Sequence, residues 1–193
     1  MSGPVLVTGA AGFIGSSLTR VLLDAGRPVV AFDKLTYAGH RASLAACEGR
    51  PGYVFVQGDI VDETAVARVF AEHRPSAVMN LAAESHVDRS IDAPAAFIDT
   101  NVVGTLVLLQ AARRGLETLD ASDRAAFRFL HVSTDEVFGA LGPDGRFDET
   151  TAYDPRSPYA ASKAASDHLV RAWGHTFGLP VLPDTVPGHP GPL

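Results

Sequence analysis

Short runs of β-branched and apolar residues alternate with longer segments of helical periodicity along the chain, and few architectures accommodate that pattern. When each strand is followed by a crossover helix and a parallel strand, both faces of the sheet are buried, so the strands read as continuous apolar runs. Strands are expected at 5–8, 29–33, 53–57, 77–80, 129–132 and 180–182, with helical segments starting near Gly12, His40, Glu63, Ala95 and Ser157. Leu18, Val21 and Leu22 have the spacing of a buried helix face. The fold class implied is α/β, a doubly wound parallel sheet. At 193 residues, 46% of them hydrophobic, the chain suits one domain with a substantial core.

The turn after the first strand carries Gly9, Gly12 and Gly15 as G-x-x-G-x-x-G, immediately before a helix. A pyrophosphate needs close backbone approach and a helix N-terminus at that place, which makes the sheet Rossmann-type. Asp33 ends the second strand, where a carboxylate accepts hydrogen bonds from an adenosine ribose and repels a 2′-phosphate. NAD is therefore expected over NADP, a preference that the neighbouring Lys34 would soften.

Tyr159 and Lys163 stand four apart on an expected helix and share one face. For a tyrosine to act as a base near pH 7, its phenolate must be preferentially stabilised by roughly 4 kcal/mol. Lys163 and a nicotinamide cation together are expected to supply that. Asp135 and Glu136 follow the fifth strand, at the carboxyl edge where doubly wound sheets bind ligands. Neighbours in a regular strand point to opposite faces, so both acids serve one site only if the chain leaves strand geometry there. Such a pair suits water elimination, which needs a base for one proton and an acid for the departing hydroxyl.

Four stretches carry a family resemblance: 33–39 (Asp-Lys-Leu-Thr-Tyr-Ala-Gly), 81–90 (Leu-Ala-Ala-Glu-Ser-His-Val-Asp-Arg-Ser), 133–139 (Ser-Thr-Asp-Glu-Val-Phe-Gly), and 157–169 with its Ser-Pro-Tyr start and Asp-His-Leu end. With them the chain resembles the extended short-chain dehydrogenase/reductase family, and within it the dTDP-glucose 4,6-dehydratases. The resemblance implies that Phe13, Ile14, Asp33, Lys34, Leu35, Thr36, Asp59, Ile60, Leu81, Ala82, Ala83, Glu84, Ser85, Thr100, Tyr159 and Lys163 contact NAD, and that Ser85 and Thr134 touch the sugar. It assigns Tyr159 as base for the C4 hydroxyl, Glu136 as base for the C5 proton, Asp135 as acid for the C6 hydroxyl, and Thr134 as hydrogen-bond partner of the C4 oxygen. It further implies a homodimer through segments around 101–112 and 159–173, with Ala160, Ala161, Ala164 and Ala165 permitting close packing.

Phe138 and His40 depart from the tyrosine and asparagine common in the family, and the larger departure follows residue 181. There the family continues into an Asn-Asn-Tyr-Gly loop and a domain for the nucleotide diphosphate. Here Leu182-Pro183-Asp184-Thr185 stand instead, and Pro183 is expected to stop the sixth strand. The expected organisation is an NAD-binding domain over 1–182 and a proline- and glycine-rich tail over 183–193. That reading is of a truncated chain with the catalytic parts present and weak or no turnover.

Lys and Arg number 16 against 22 Asp and Glu, so the net charge of −6 gives no reason to expect nucleic acid or an anionic membrane as partner. No run reaches the roughly 18 apolar residues of a membrane span, the N-terminus lacks a secretory pattern, and a cytoplasmic location is the default. The single Cys47 allows no intrachain disulfide, and the histidines have no metal-ligand spacing, so no metal is expected. Three other readings remain open: a nucleotide-sugar 4-epimerase, a dehydratase for another nucleotide sugar, and a non-catalytic NAD-binding remnant.

Overall fold

The computed structural model describes residues 3–141, 145–148 and 150–184 of the chain. Six parallel strands form one sheet: β1 (Val5–Thr8), β2 (Val29–Asp33), β3 (Tyr53–Gln57), β4 (Ala77–Asn80), β5 (Arg128–Val132) and β6 (Val181–Asp184), in the order β3-β2-β1-β4-β5-β6. That is the doubly wound order. The direction of winding reverses between β1 and β4, and the reversal opens a crevice at their carboxyl ends.

Strand periodicity divides the core between the two faces. Val5, Val7, Val29 and Ala31 pack with Leu23 of helix α1 (Phe13–Asp24) and with Leu44 and Cys47 of a 3-10 helix (Arg41–Cys47). Leu6, Val30, Phe32, Val78 and Phe129 face the other way, toward α2 (Glu63–His73) and the later helices. Both sides of β1 and β2 are thus sealed, which is why neither strand carries a solvated polar face.

α3 (Val87–Asp92) leads into a continuous helix made of α4 (Pro94–Phe97), a π stretch (Ile98–Gly104) and α5 (Thr105–Glu117). The short α6 (Ala121–Ala126) precedes β5, a 3-10 turn (Asp135–Phe138) follows it, and α7 (Pro158–Phe177) packs on β6 and α5. Pro158 occupies the first turn of α7, Ser157 caps it by accepting from Ala160 N at 3.0 Å, and Gly178 at φ 66° ends it.

Three expectations need correction. β6 does not stop at Pro183: pairing continues through His131 with Pro183 and Val132 with Asp184. Among the described residues β6 is an edge strand, where a residue without an N–H is tolerated. The rest of the expected tail, 185–193, lies outside the described residues. The helix Pro94–Glu117 is long and apolar enough to cross a membrane, contrary to the reading by runs, but more than half of its most apolar window is buried in the core. Finally, Ala160 and Ala164 are packed inside the chain, which leaves Ala161 exposed and Ala165 half-buried on the outer side of α7.

Candidate active site

The glycine turn shapes one end of a cleft of about 370 Å³. Gly9 has φ 65°, and a Cβ there would lie 2.8 Å from Ala82 N; a Cβ on Gly15 would overlap the carbonyl oxygen of Gly9. The first position thus demands a left-handed residue without a side chain, and the third lets α1 press onto the turn. Gly12 caps α1 without any side-chain acceptor, so the first-turn N–H groups face the cleft unanswered. Phe13, 91% exposed, and Ile14 stand at the same end. This cradle fits a pyrophosphate.

Asp33, 8% exposed, lines the cleft beside the turn. Its Oδ2 accepts from Ala11 N at 2.9 Å and its Oδ1 from Leu35 N at 2.8 Å. The carboxylate therefore ties the glycine turn to β2 and keeps lone pairs free for a ribose. Lys34 beside it is itself engaged. Its Nζ lies 3.4 Å from Asp59 Oδ2 and donates to Thr100 Oγ1 at 3.4 Å, so its charge is already answered. Among the expected cofactor residues, Leu35 alone does not line the cleft. It has φ 60°, and its side chain packs into the core beside β1 and β2. Ala38, Gly39 and Gly58 line it instead, small residues that carry no chemical signal in a sequence.

Glu84 and Ser85 reach the cleft from the loop after β4. That loop is clamped by Asn101, whose Oδ1 accepts from Glu84 N at 2.9 Å and whose Nδ2 donates to Glu84 O at 3.0 Å and Ser162 Oγ at 2.8 Å. The π stretch presents Thr100 to the cleft and Asn101 to this clamp from adjacent positions. Sequence reasoning missed Asn101 because a lone helical asparagine shows no pairing until its distant partners are in place.

Tyr159 and Lys163 enter from α7, both buried and both lining the cleft. Lys163 Nζ donates to Val132 O at 2.6 Å, and burial pulls its pKa down to about 8 against the pull of Asp167. Tyr159 hydrogen-bonds Thr134, yet burial, joined by Glu136, Asp135 and Asp167, raises its pKa. The chain by itself therefore holds the phenol protonated; a base near neutral pH requires a cation from outside the chain.

Asp135 and Glu136 leave strand geometry in a 3-10 turn capped by the still extended Thr134, as the sequence argument required. Thr134 Oγ1 accepts from Glu136 N at 3.3 Å, and both acids are half-buried. Burial, then Asp135, raises the pKa of Glu136. They are not part of the cleft lining, but lie close enough to Tyr159 to raise its pKa.

Beneath the cleft runs a buried polar chain. Ala82 N donates to Thr8 Oγ1, which donates to Asn80 Oδ1 at 2.6 Å; Asn80 Nδ2 donates to His131 Nδ1 at 3.1 Å. Nδ1 is thereby an acceptor, so the proton sits on Nε2 and points to Ser166 Oγ at 3.1 Å, which in turn donates to Lys163 O. Burial and Lys163 hold His131 well below the usual histidine range, hence neutral. Its role is structural, and among the described residues no group of side chains could hold a metal ion.

A family model described as GDP-mannose 4,6 dehydratase matches residues 6–193. The dTDP-glucose 4,6-dehydratase of Xanthomonas campestris (strain B100) is 58% identical over 187 residues, covering 97% of this chain and 53% of that protein. The crystal structure of DesIV, a dTDP-glucose 4,6-dehydratase from Streptomyces venezuelae with NAD bound, superposes with a TM-score of 0.84 at 44% identity, over 94% of this chain and 55% of that one. A Thermus thermophilus UDP-glucose 4-epimerase in complex with NAD gives 0.81 at 34% identity, over 93% and 53%. The chain spans about half the length of the relatives it matches.

Proposed function

The chain belongs to the GDP-mannose 4,6-dehydratase family, and on that premise we propose that it carries the NAD site and the reacting side chains of a nucleotide-sugar 4,6-dehydratase acting on dTDP-glucose. The observation that carries the reading is the placing of Asp135 and Glu136, in a 3-10 turn capped by Thr134, close to Tyr159, which with Lys163 lines the cleft that the glycine turn shapes at one end. The glycine cradle, the open first turn of α1 and the ribose-facing Asp33 fit NAD; Lys34, spent on Asp59 and Thr100, offers little to a 2′-phosphate.

NAD, when bound, supplies the hydride acceptor at C4, a positive charge beside Tyr159 and, once reduced, the hydride donor at C6. Tyr159 takes the proton of the C4 hydroxyl, and Thr134, already bonded to that phenol, donates to the C4 oxygen. The new C4 carbonyl acidifies C5. Glu136 removes the C5 proton, and Asp135 gives a proton to the C6 hydroxyl, which leaves as water. Proton transfer of each kind contributes about 10²–10⁴-fold. The raised pKa of Glu136 brings its basicity closer to that of the task.

A dehydratase is favoured over a 4-epimerase by the two acids, because epimerisation at C4 removes no C5 proton and expels no hydroxyl. We also propose a cytoplasmic homodimer. The homodimer is supported by exposed Ile98 and Val103 on the π stretch and exposed Ala161 on α7. The test is incubation of dTDP-glucose and NAD with the chain carried on a full-length family scaffold. A 4-keto-6-deoxy sugar is expected, whereas a C4-inverted sugar retaining its C6 hydroxyl would overturn the assignment.

A further inference from the structure

Asp167 has no assigned part in this chemistry, yet it is the most deeply committed carboxylate in the described residues. It lies one helical turn beyond Lys163 on the same face of α7, and its side chain is fully buried. Oδ2 accepts from Ser133 Oγ and from Tyr153 OH at 3.0 Å. Ser133 immediately precedes Thr134, Asp135 and Glu136. Tyr153 belongs to the segment that returns from that turn to α7, and its ring meets Phe138 edge-on with centroids 5.2 Å apart. One carboxylate oxygen thus pins both ends of the acid-bearing loop to the helix of Tyr159 and Lys163.

The other oxygen is left over. Oδ1 has no hydrogen-bond partner and lies 3.5 Å from His131 Nε2, whose proton is directed to Ser166. A neutral acceptor of similar shape would hold Ser133 and Tyr153 without the desolvation cost of a buried anion. The cation four residues earlier offsets part of that cost, while burial still raises the pKa of Asp167. Resting on the reading of the site given above, we propose that Asp167 is a positioning residue for the reaction, anchoring the loop of Thr134, Asp135 and Glu136 against α7 and supplying the counter-charge to Lys163.

The electrostatic surroundings support the assignment. Asp167 is the charge that opposes the fall in the Lys163 pKa. The ionisable groups facing the pair are His131 on β5, which is neutral, Asp135 and Glu136 on the 3-10 turn, Tyr153 on the returning segment, and Tyr159 and Arg171 on α7. From α3 and the π stretch, which also pack on α7, Asp88, Arg89, Asp92 and Asp99 point to solvent, and α4 has no ionisable residue.

The chain has two lysines, Lys34 and Lys163, so ¹³C labelling at lysine Cε gives two signals, and the second serves as an internal control. In Asp167→Asn, which keeps an acceptor for Ser133 and Tyr153, the Lys163 midpoint should fall by at least about one pH unit, a tenfold change in its acid constant, while Lys34 stays in place. An unmoved Lys163 midpoint in the folded variant overturns the counter-charge. Should Asp167→Asn fail to fold, Ser133→Ala and Tyr153→Phe each remove one donor to the same oxygen. Amide exchange at 134–138 should then rise severalfold while β1 and β2 remain protected, and unchanged exchange overturns the anchoring. Neither readout needs turnover, so a failure of the dehydratase reading is seen separately, as an absent product with these shifts intact.

Discussion

Asp33→Asn is the perturbation that tests two assignments at once. The carboxylate accepts two backbone N–H bonds, from Ala11 at 2.9 Å and Leu35 at 2.8 Å, and is almost wholly buried. Hydrogen bonds to a charged group contribute about 1.5–3 kcal/mol each. An asparagine keeps one acceptor oxygen and turns an NH₂ toward the other N–H, so one bond is lost and a buried donor is left unmet. The expected destabilisation is about 2–3 kcal/mol, read as a lower urea midpoint at unchanged slope. Calorimetry on the same variant should show weaker NAD binding and a narrower preference over NADP, since the fixed negative charge that repels a 2′-phosphate is gone. Stability within about 0.5 kcal/mol of the parent would refute the view that this carboxylate holds the glycine turn. Lost stability with an unchanged NAD-to-NADP ratio would show that discrimination comes from elsewhere in the cleft.

Glu136→Gln, on a full-length scaffold, should still oxidise C4, seen as absorbance of the reduced cofactor, but release little 4-keto-6-deoxy product; elimination at the parent rate would remove Glu136 as base. Lys163 is buried with its pKa lowered from 10.5 to about 8, so between those values the unfolded chain binds more protons than the folded one. Stability from this group therefore rises with pH across that window. Relative to Lys163→Met, the parent should gain about 2–3 kcal/mol between about pH 8 and pH 10, and denaturant titrations at both ends with a constant difference would contradict the burial argument. Phe129→Ala, emptying a fully buried site on β5, should cost about 3–5 kcal/mol, measured by urea unfolding.

The strands were legible because a parallel sheet sealed on both faces writes itself as apolar runs; five of the six expected ranges agree with the structure to within one residue at either end. Gly9 and Gly15 were legible because the turn allows almost nothing else there, and the Tyr159–Lys163 pair because four residues make one helical turn. The same spacing carried one step further reaches Asp167, whose role went unread: nothing local marks a helical aspartate as buried until Ser133 and Tyr153 fold over it. The inward turn of the Leu35 side chain was hidden for a related reason. Its neighbours contribute side chains to the cleft, and only its positive φ reveals that the backbone turns it inward.

What separates elimination from simple inversion on this scaffold is a very small part of it. The same doubly wound sheet superposes on a dehydratase at a TM-score of 0.84 and on an epimerase at 0.81, so the fold cannot choose between them. The glycine turn, Asp33 and the Tyr159–Lys163 pair suit any reaction that begins by oxidising C4. On the proposed reading the choice falls to Asp135 and Glu136, in the four-residue 3-10 turn Asp135–Phe138 that follows β5. Continued strand geometry would send Asp135 and Glu136 to opposite faces, one toward the core. Thr134 prevents this by accepting from Glu136 N, which starts the turn, while Val137 and Phe138 bury themselves against Ala164 and hold it shut. The turn is thus fastened to the helix that carries Tyr159, the proposed base, so the acid pair and Tyr159 keep a fixed relation to each other. A change in the packing of Phe138 on Phe147 and Tyr153 should accordingly impair elimination more than C4 oxidation, because it moves the two acids and leaves the cleft alone.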